Sequence, residues 1–224
     1  MDFQYLFELL CSGVVKGSIY ALIALGYTMV YGIIQLINFA HGEIYMIGAF
    51  VAFIVAGVAT LSGFSGFSVL ILAAVIAAIY SASYGFTLER IAYRPLRNAP
   101  RLSPLISAIG ASIFLMNYVQ IAQTPDFLPF PELVSDFDFM EPLSRYLSSV
   151  DLVILAVTTL TMIALTVLIK YTRIGKAMRA TQQDMVMARL VGVNVDRVIS
   201  ATFIIGSVLA AIAGVLIASR TGQI

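Results

Sequence analysis

Only one short stretch sets several polar groups of catalytic type close together inside apolar sequence. It is INFAHGEIY, residues 37–45, which carries Asn38, His41 and Glu43 around Gly42. His41 and Glu43 are the residue types that shuttle protons in general acid–base chemistry, but no second carboxylate inside an apolar run supports a relay. Residue types argue against a metal site: the chain has one histidine, a single cysteine (Cys11) and no HExxH spacing. Gly175-Lys176 has the look of a phosphate loop, yet GxxxxGK[ST] fails because Lys170 and Ala177 stand at its ends. The chain therefore does not bind and hydrolyse ATP by itself. An intramembrane enzyme would need a nucleophile–base or carboxylate pair, and only His41 and Glu43 lie close together.

The elements that carry these residues belong to the membrane. The 224 residues are 60% hydrophobic and 11% charged, with a mean hydropathy of +0.97. A soluble domain has about 25% charged residues, so most of this surface faces lipid rather than water. The fold class read from this is an all-α polytopic membrane protein with about six transmembrane helices in residues 1–224, forming one domain. A lone cysteine rules out an intramolecular disulfide. The opening MDFQYLFELLCSGVVKG places acids before its first base, unlike a secretory signal, so the first span is expected to be retained. Nothing in the charge pattern suggests nucleic acid.

At about 20 residues per crossing, the uncharged run Gly17–Ala40 supplies one span, preceded by 3–15 as an amphipathic lead-in or the outer end of the same helix. The uncharged run Ile44–Leu88 is too long for one crossing and breaks at SGFSGFS, residues 62–68. It divides into spans near 44–61 and 69–88. Leu102–Pro125, Leu152–Ile169 and Val198–Ser219 complete the set. Small residues recur every four positions at Ala73, Ala77, Ser81, Gly85 and at Gly206, Ala210, Gly214, Ala218, the spacing that lets membrane helices pack closely.

Loop charge sets the orientation. Glu89–Arg101 carries Arg90, Arg94, Arg97 and Arg101 against one acid. Asp126–Asp151 carries Asp126, Glu132, Asp136, Asp138, Glu141 and Asp151 against Arg145. Lys170–Arg197 holds Lys170, Arg173, Lys176, Arg179, Arg189 and Arg197, six of the thirteen basic residues. Basic loops stay cytoplasmic, so these three alternate in, out, in. Counting back puts the N-terminus outside if the chain crosses at Asn38–Glu43, and not if it re-enters there. That break has two readings. It is a pathway-lining or gating element of the kind tolerated where it faces a cavity or protein, or a tight surface turn with a helix cap. Lys16 reads as a snorkelling lysine.

The basic loop 171–197 has local structure of its own. Thr181 with Asp184 three residues on reads as a variant capping box, opening a helix over about Gln182–Leu190 that stops at Gly192. Met185, Val186, Met187, Ala188 and Leu190 give this helix more apolar surface than a solvated helix needs, flanked by Arg179 and Arg189. Such a helix calls for a soluble partner or an anionic lipid surface.

Four stretches together carry a resemblance: GSIYALIALGYTMVYGIIQLINFAHGEIYMIGAF (17–50), ERIAYRPLR (89–97), LISAIGASIFLMNY (105–118) and GKAMRATQQDMVMARLVGVNVDRV (175–198). In order and content the chain resembles the permease subunits of branched-chain amino-acid ABC importers, in particular their H-type subunit. The resemblance implies a pathway subunit of the bacterial cytoplasmic (inner) membrane, with no cofactor of its own. It implies two cytoplasmic ATPase subunits that use ATP, a second permease subunit and a periplasmic substrate-binding protein. It also implies that Ala180, Asp184, Ala188, Leu190 and Gly192 belong to the helix that couples to the ATPase and to its exit turn. The flanking charges of Arg179 and Arg189 are expected to set the register of that contact. Family members extend beyond the position of Ile224, so a C-terminally incomplete permease domain is expected. Two other functions remain open: a membrane anchor or assembly protein with a lipid- or partner-binding basic loop, and a permease for urea or short amides.

Overall fold

The computed structural model describes residues 3–64, 66–97, 99–100, 102–134 and 147–224. Its helices are α1 (Phe3–Ile34), α2 (His41–Leu61), α3 (Phe67–Leu88), α4 (Leu102–Ala122), α5 (Ser149–Tyr171), α6 (Arg173–Gln183), α7 (Met185–Leu190) and α8 (Val195–Thr221). Among the described residues, six helices are long and apolar enough to cross a membrane: α1, α2, α3 with its extension to Leu96, α4, α5 and α8. The expected number of spans is met. Asp136, Asp138, Glu141 and Arg145 of the acidic loop lie outside the described residues.

α8 is the centre of the bundle. In its most apolar stretch 67% of residues are buried, against 17% in α4 and α5. The small-residue stripe explains why. Gly206, Ala210, Gly214 and Ala218 are all buried, and a side chain at Gly214 would sit 2.7 Å from the Tyr45 carbonyl oxygen of α2. At Gly26 of α1 a side chain would meet the Gly206 carbonyl at 2.9 Å on one side and the His41 ring at 3.0 Å on the other. The matching stripe on α3, Ala73, Ala77, Ser81 and Gly85, is buried as well. Without a hydrophobic drive between helices in lipid, this close backbone approach is the main source of attraction.

Helix directions follow from the contacts. Arg220 at the end of α8 donates to Asp151 of α5 at 2.8 Å and to Ser12 of α1 at 3.2 Å. The start of α1, the start of α5 and the end of α8 therefore share one face, and the basic segments lie at the other. The positive-inside tendency, which expects the basic segments in the cytoplasm, would then have α1 begin on the other side. Asp151 also closes a capping box with Ser148 at the start of α5, which reserves one carboxylate oxygen for the helix and one for Arg220.

α1 runs for 32 residues, about 48 Å at 1.5 Å per residue, and includes the stretch expected as a lead-in. It stops six residues earlier than the uncharged run suggested, because Gln35 turns into the left-handed region at φ 56°. That conformation is strained for a residue with a Cβ.

Candidate functional site

The break between α1 and α2 is buried. Asn38 and His41 are each 3% exposed, which does not fit a surface turn. His41 opens α2 lying against the body of α1: its Nε2 is 3.3 Å from the Ile23 carbonyl oxygen and its ring meets Tyr27 edge-on at 6.0 Å. Ile23 and Gly26 precede the end of α1 by 11 and 8 residues, about 12–16 Å along the axis. Residues 35–40 thus fold back into the bundle before α2 sets out in the opposite direction.

His41 and Glu43 do not meet. Two residues apart on a helix they face away from each other, and Glu43 turns to α4, accepting a hydrogen bond from Ser112 at 3.0 Å. A proton-relay pair is therefore absent here. Gly42, between them, is exposed with open space around it. Asn38 points another way, accepting from the Tyr93 hydroxyl at 3.0 Å. The break is a point where side chains from α1, α4 and the end of α3 converge, rather than a reactive centre. No group of His, Cys, Asp and Glu suited to a metal occurs among the described residues.

The basic loop 171–197 is helical almost throughout, and its cap differs from expectation. Thr181 lies inside α6, 1% exposed, its hydroxyl donating to the Ala177 carbonyl at 2.8 Å. Asp184 is the cap: it adopts an extended backbone and its carboxylate accepts from Val186 N at 2.8 Å and Met187 N at 3.0 Å. The helix expected over Gln182–Leu190 is therefore two. α6 starts beyond a one-residue corner at Thr172, which caps it by accepting from Gly175 N at 3.0 Å, and α7 is a six-residue helix after Asp184. An Asp cap competes successfully because its carboxylate takes two orphan N–H groups at once.

The stop at Gly192 is where it was expected. Gly192 has φ 87°, its N–H bonds the Arg189 carbonyl at 3.0 Å and Val193 N–H bonds the Ala188 carbonyl at 2.9 Å. This is a Schellman ending, which favours glycine at the left-handed position.

α7 is two-faced. Ala188 is 3% exposed and packs with Met178, Val195, Val198 and Ile199 in a cluster that also holds Tyr93 and Ile44. Val186, Met187, Leu190 and Val191 are exposed, Leu190 at 75%. Ala180 is half-buried, while Asp184 and Arg189 are exposed. Arg179 turns back to donate to the Ile169 carbonyl near the end of α5, where a cation suits the helix terminus. Of the two flanking arginines, Arg189 is the one beside the exposed apolar face.

One cluster escaped the sequence reading. Beyond α3 the chain makes a π turn, Glu89–Tyr93, and a 3₁₀ turn, Arg94–Leu96. Glu89 is fully buried and ion-paired with Arg97, while its other oxygen accepts from Ser200 at 2.8 Å. Arg97 and Arg94 both bond Asp196 at the start of α8, Arg94 at 3.0 Å. By composition these arginines count as a solvated basic loop. The signal for the pairing was an acid at the edge of an apolar run in each basic loop: Glu89, the single acid of its loop, and Asp196, one of two in the other beside Asp184.

Comparison with known proteins assigns a family to this arrangement. The family described as branched-chain amino acid transport system / permease component matches residues 9–224. The high-affinity branched-chain amino acid transport system permease protein LivH of Salmonella typhimurium is 48% identical over 227 residues, covering all of this chain and 74% of the relative. LivH of Escherichia coli K12 is 47% identical with the same coverage. BraD of Pseudomonas aeruginosa, a permease protein of the same description, is 45% identical over 226 residues, 99% of this chain and 73% of that protein. No solved structure matches.

Proposed function

This chain belongs to the permease components of branched-chain amino acid transport systems, and we propose that it carries leucine, isoleucine and valine inward as one of two permease subunits driven by separate ATPases. Residues 1–224 lie within one permease domain, in a bacterial inner membrane, with α6 and α7 within the coupling loop 171–197. Two cytoplasmic ATPase subunits would dock there, and a periplasmic protein would deliver substrate at the opposite face. The chain binds no cofactor itself; its partners use ATP.

The observation that carries this reading is the exposed apolar face of α7, Val186, Met187 and Leu190, held rigidly by an Asp184 cap, a Gly192 stop and the buried Ala188. Exposed apolar surface on a capped helix, at the end of the bundle where the basic segments lie, fits a groove on a soluble partner. ATP binding could then bias the bundle between two conformations through its differential affinity for them. The break at Asn38, His41, Gly42 and Glu43 is the pathway or gating element, since irregular backbone at membrane depth is tolerated where it lines a cavity or is buried in protein.

Leu190→Asp tests the docking face. It should abolish co-purification of the ATPases and substrate-stimulated hydrolysis while leaving the permease folded. Ala188→Asp is a contrast that places a charge in the core and should reduce folded protein instead. Unchanged association with Leu190→Asp contradicts the assignment.

A further inference from the structure

The loop read as coupling and the break read as pathway lie far apart in sequence, yet a path of side-chain contacts and two short backbone turns joins them. It begins after the Gly192 turn, where Asn194 accepts from Arg197 N at 3.0 Å and sets the first turn of α8. That turn presents Asp196 to Arg94 and Arg97. The second arm of Arg97 holds buried Glu89, which Ser200 also bonds. Four residues beyond Glu89, within the same π turn, Tyr93 is 3% exposed with its ring 5.1 Å from Phe203. Its hydroxyl reaches Asn38 in the break. Arg97 Nε is buried without a partner among the described residues, so its guanidinium is oriented by the two carboxylates.

The π turn gives this path its mechanical character. A π turn inserts one residue into an α-helical register and is enriched at functional sites. Conversion of Glu89–Tyr93 to α would rotate Tyr93 relative to Glu89, giving the segment two discrete arrangements. A two-state element biased from both ends is what coupling between sites physically requires.

We propose that residues 89–97 are the transmission joint of the transporter, with Tyr93 the positioning residue that passes displacement of Asp196 to the break at Asn38. This rests on the reading of α6–α7 as the coupling segment and of the break as a pathway element. In the resting arrangement the Tyr93 hydroxyl holds Asn38. When the ATPases move α7 and the start of α8, the carboxylate–guanidinium fork drags the turn, and the Tyr93–Asn38 bond is released or remade.

The test uses the assembled transporter in proteoliposomes. Cys11→Ser removes the one thiol of residues 1–224, and Gly42→Cys then places a probe beside the break, where a Cβ meets open space, its labelling read on the permease itself. ATP should change the rate at which a maleimide labels Cys introduced at Gly42. Adding Tyr93→Phe keeps the ring against Phe203 and removes only the hydroxyl. Hydrolysis should persist, the ATP-dependent change in labelling should vanish, and import per ATP should fall about tenfold, within the usual range of intersite coupling. Asp196→Asn, at the other end of the path, should do the same more weakly. If Tyr93→Phe labels and imports like its parent, the joint is overturned while the pathway reading stands. If labelling in the parent ignores ATP, the pathway reading fails and the joint with it.

Discussion

Arg97→Ala and Arg94→Ala remove the same kind of group from the same cluster, yet their burial sets very different costs. The Glu89 side chain is fully buried and that of Arg97 is 12% exposed. Removing Arg97 leaves the buried Glu89 with only the Ser200 hydroxyl, an uncompensated charge inside the bundle. Breaking a buried pair in this way costs about 3–5 kcal/mol. Arg94 and Asp196 are 38% and 43% exposed, and Asp196 keeps Arg97 when Arg94 is lost. Screening by water limits that pair to about 0–1 kcal/mol. Replacing both members of the buried pair, Glu89→Leu with Arg97→Met, should recover most of the loss, because apolar isosteres often match a buried ion pair. The assay is SDS-titration unfolding of purified protein in mixed micelles, followed by circular dichroism, with Arg90→Ala as an exposed control. Equal losses for Arg94→Ala and Arg97→Ala, or a double variant as unstable as Arg97→Ala, would refute the reasoning.

Packing at the centre of the bundle gives a second expectation. Gly206→Leu would drive a branched side chain into Gly26 and Val30 of α1, where even a Cβ meets the Gly26 carbonyl at 3.1 Å. Backbone atoms cannot give way as a flexible side chain can, so size-exclusion chromatography should show loss of monodisperse protein. Gly42→Leu, at a position where a Cβ meets nothing within 4 Å and which faces open space, should leave the chromatogram unchanged.

The spans were legible because uncharged length is a direct consequence of the bilayer as solvent, and α8 was legible as a packing helix because small residues at four-residue spacing have few other uses there. The depth of the break was not. It depends on the left-handed turn at Gln35 and on His41 returning to Gly26, and neither leaves a compositional trace. The Gly192 stop was readable since glycine is the natural residue for its backbone. The start of α7 was misread because Thr181 and Asp184 fit a capping box equally well on paper; in the fold Thr181 satisfies its hydroxyl within α6, which frees Asp184 to be the cap itself. Arg94 and Arg97 counted correctly toward sidedness, but their partners Glu89 and Asp196 are 107 residues apart (196 − 89), and only the antiparallel packing of α3 on α8 brings them together.

The most direct measurement of the central claim is uptake of labelled leucine by proteoliposomes that contain the permease pair and ATPases, with binding protein supplied on the outer face and ATP on the ATPase side. The account predicts saturable uptake that stops without ATP or without binding protein and is competed by isoleucine and valine but not by urea. Leucine uptake at the same rate without ATP, or competition by urea in place of isoleucine and valine, would contradict it.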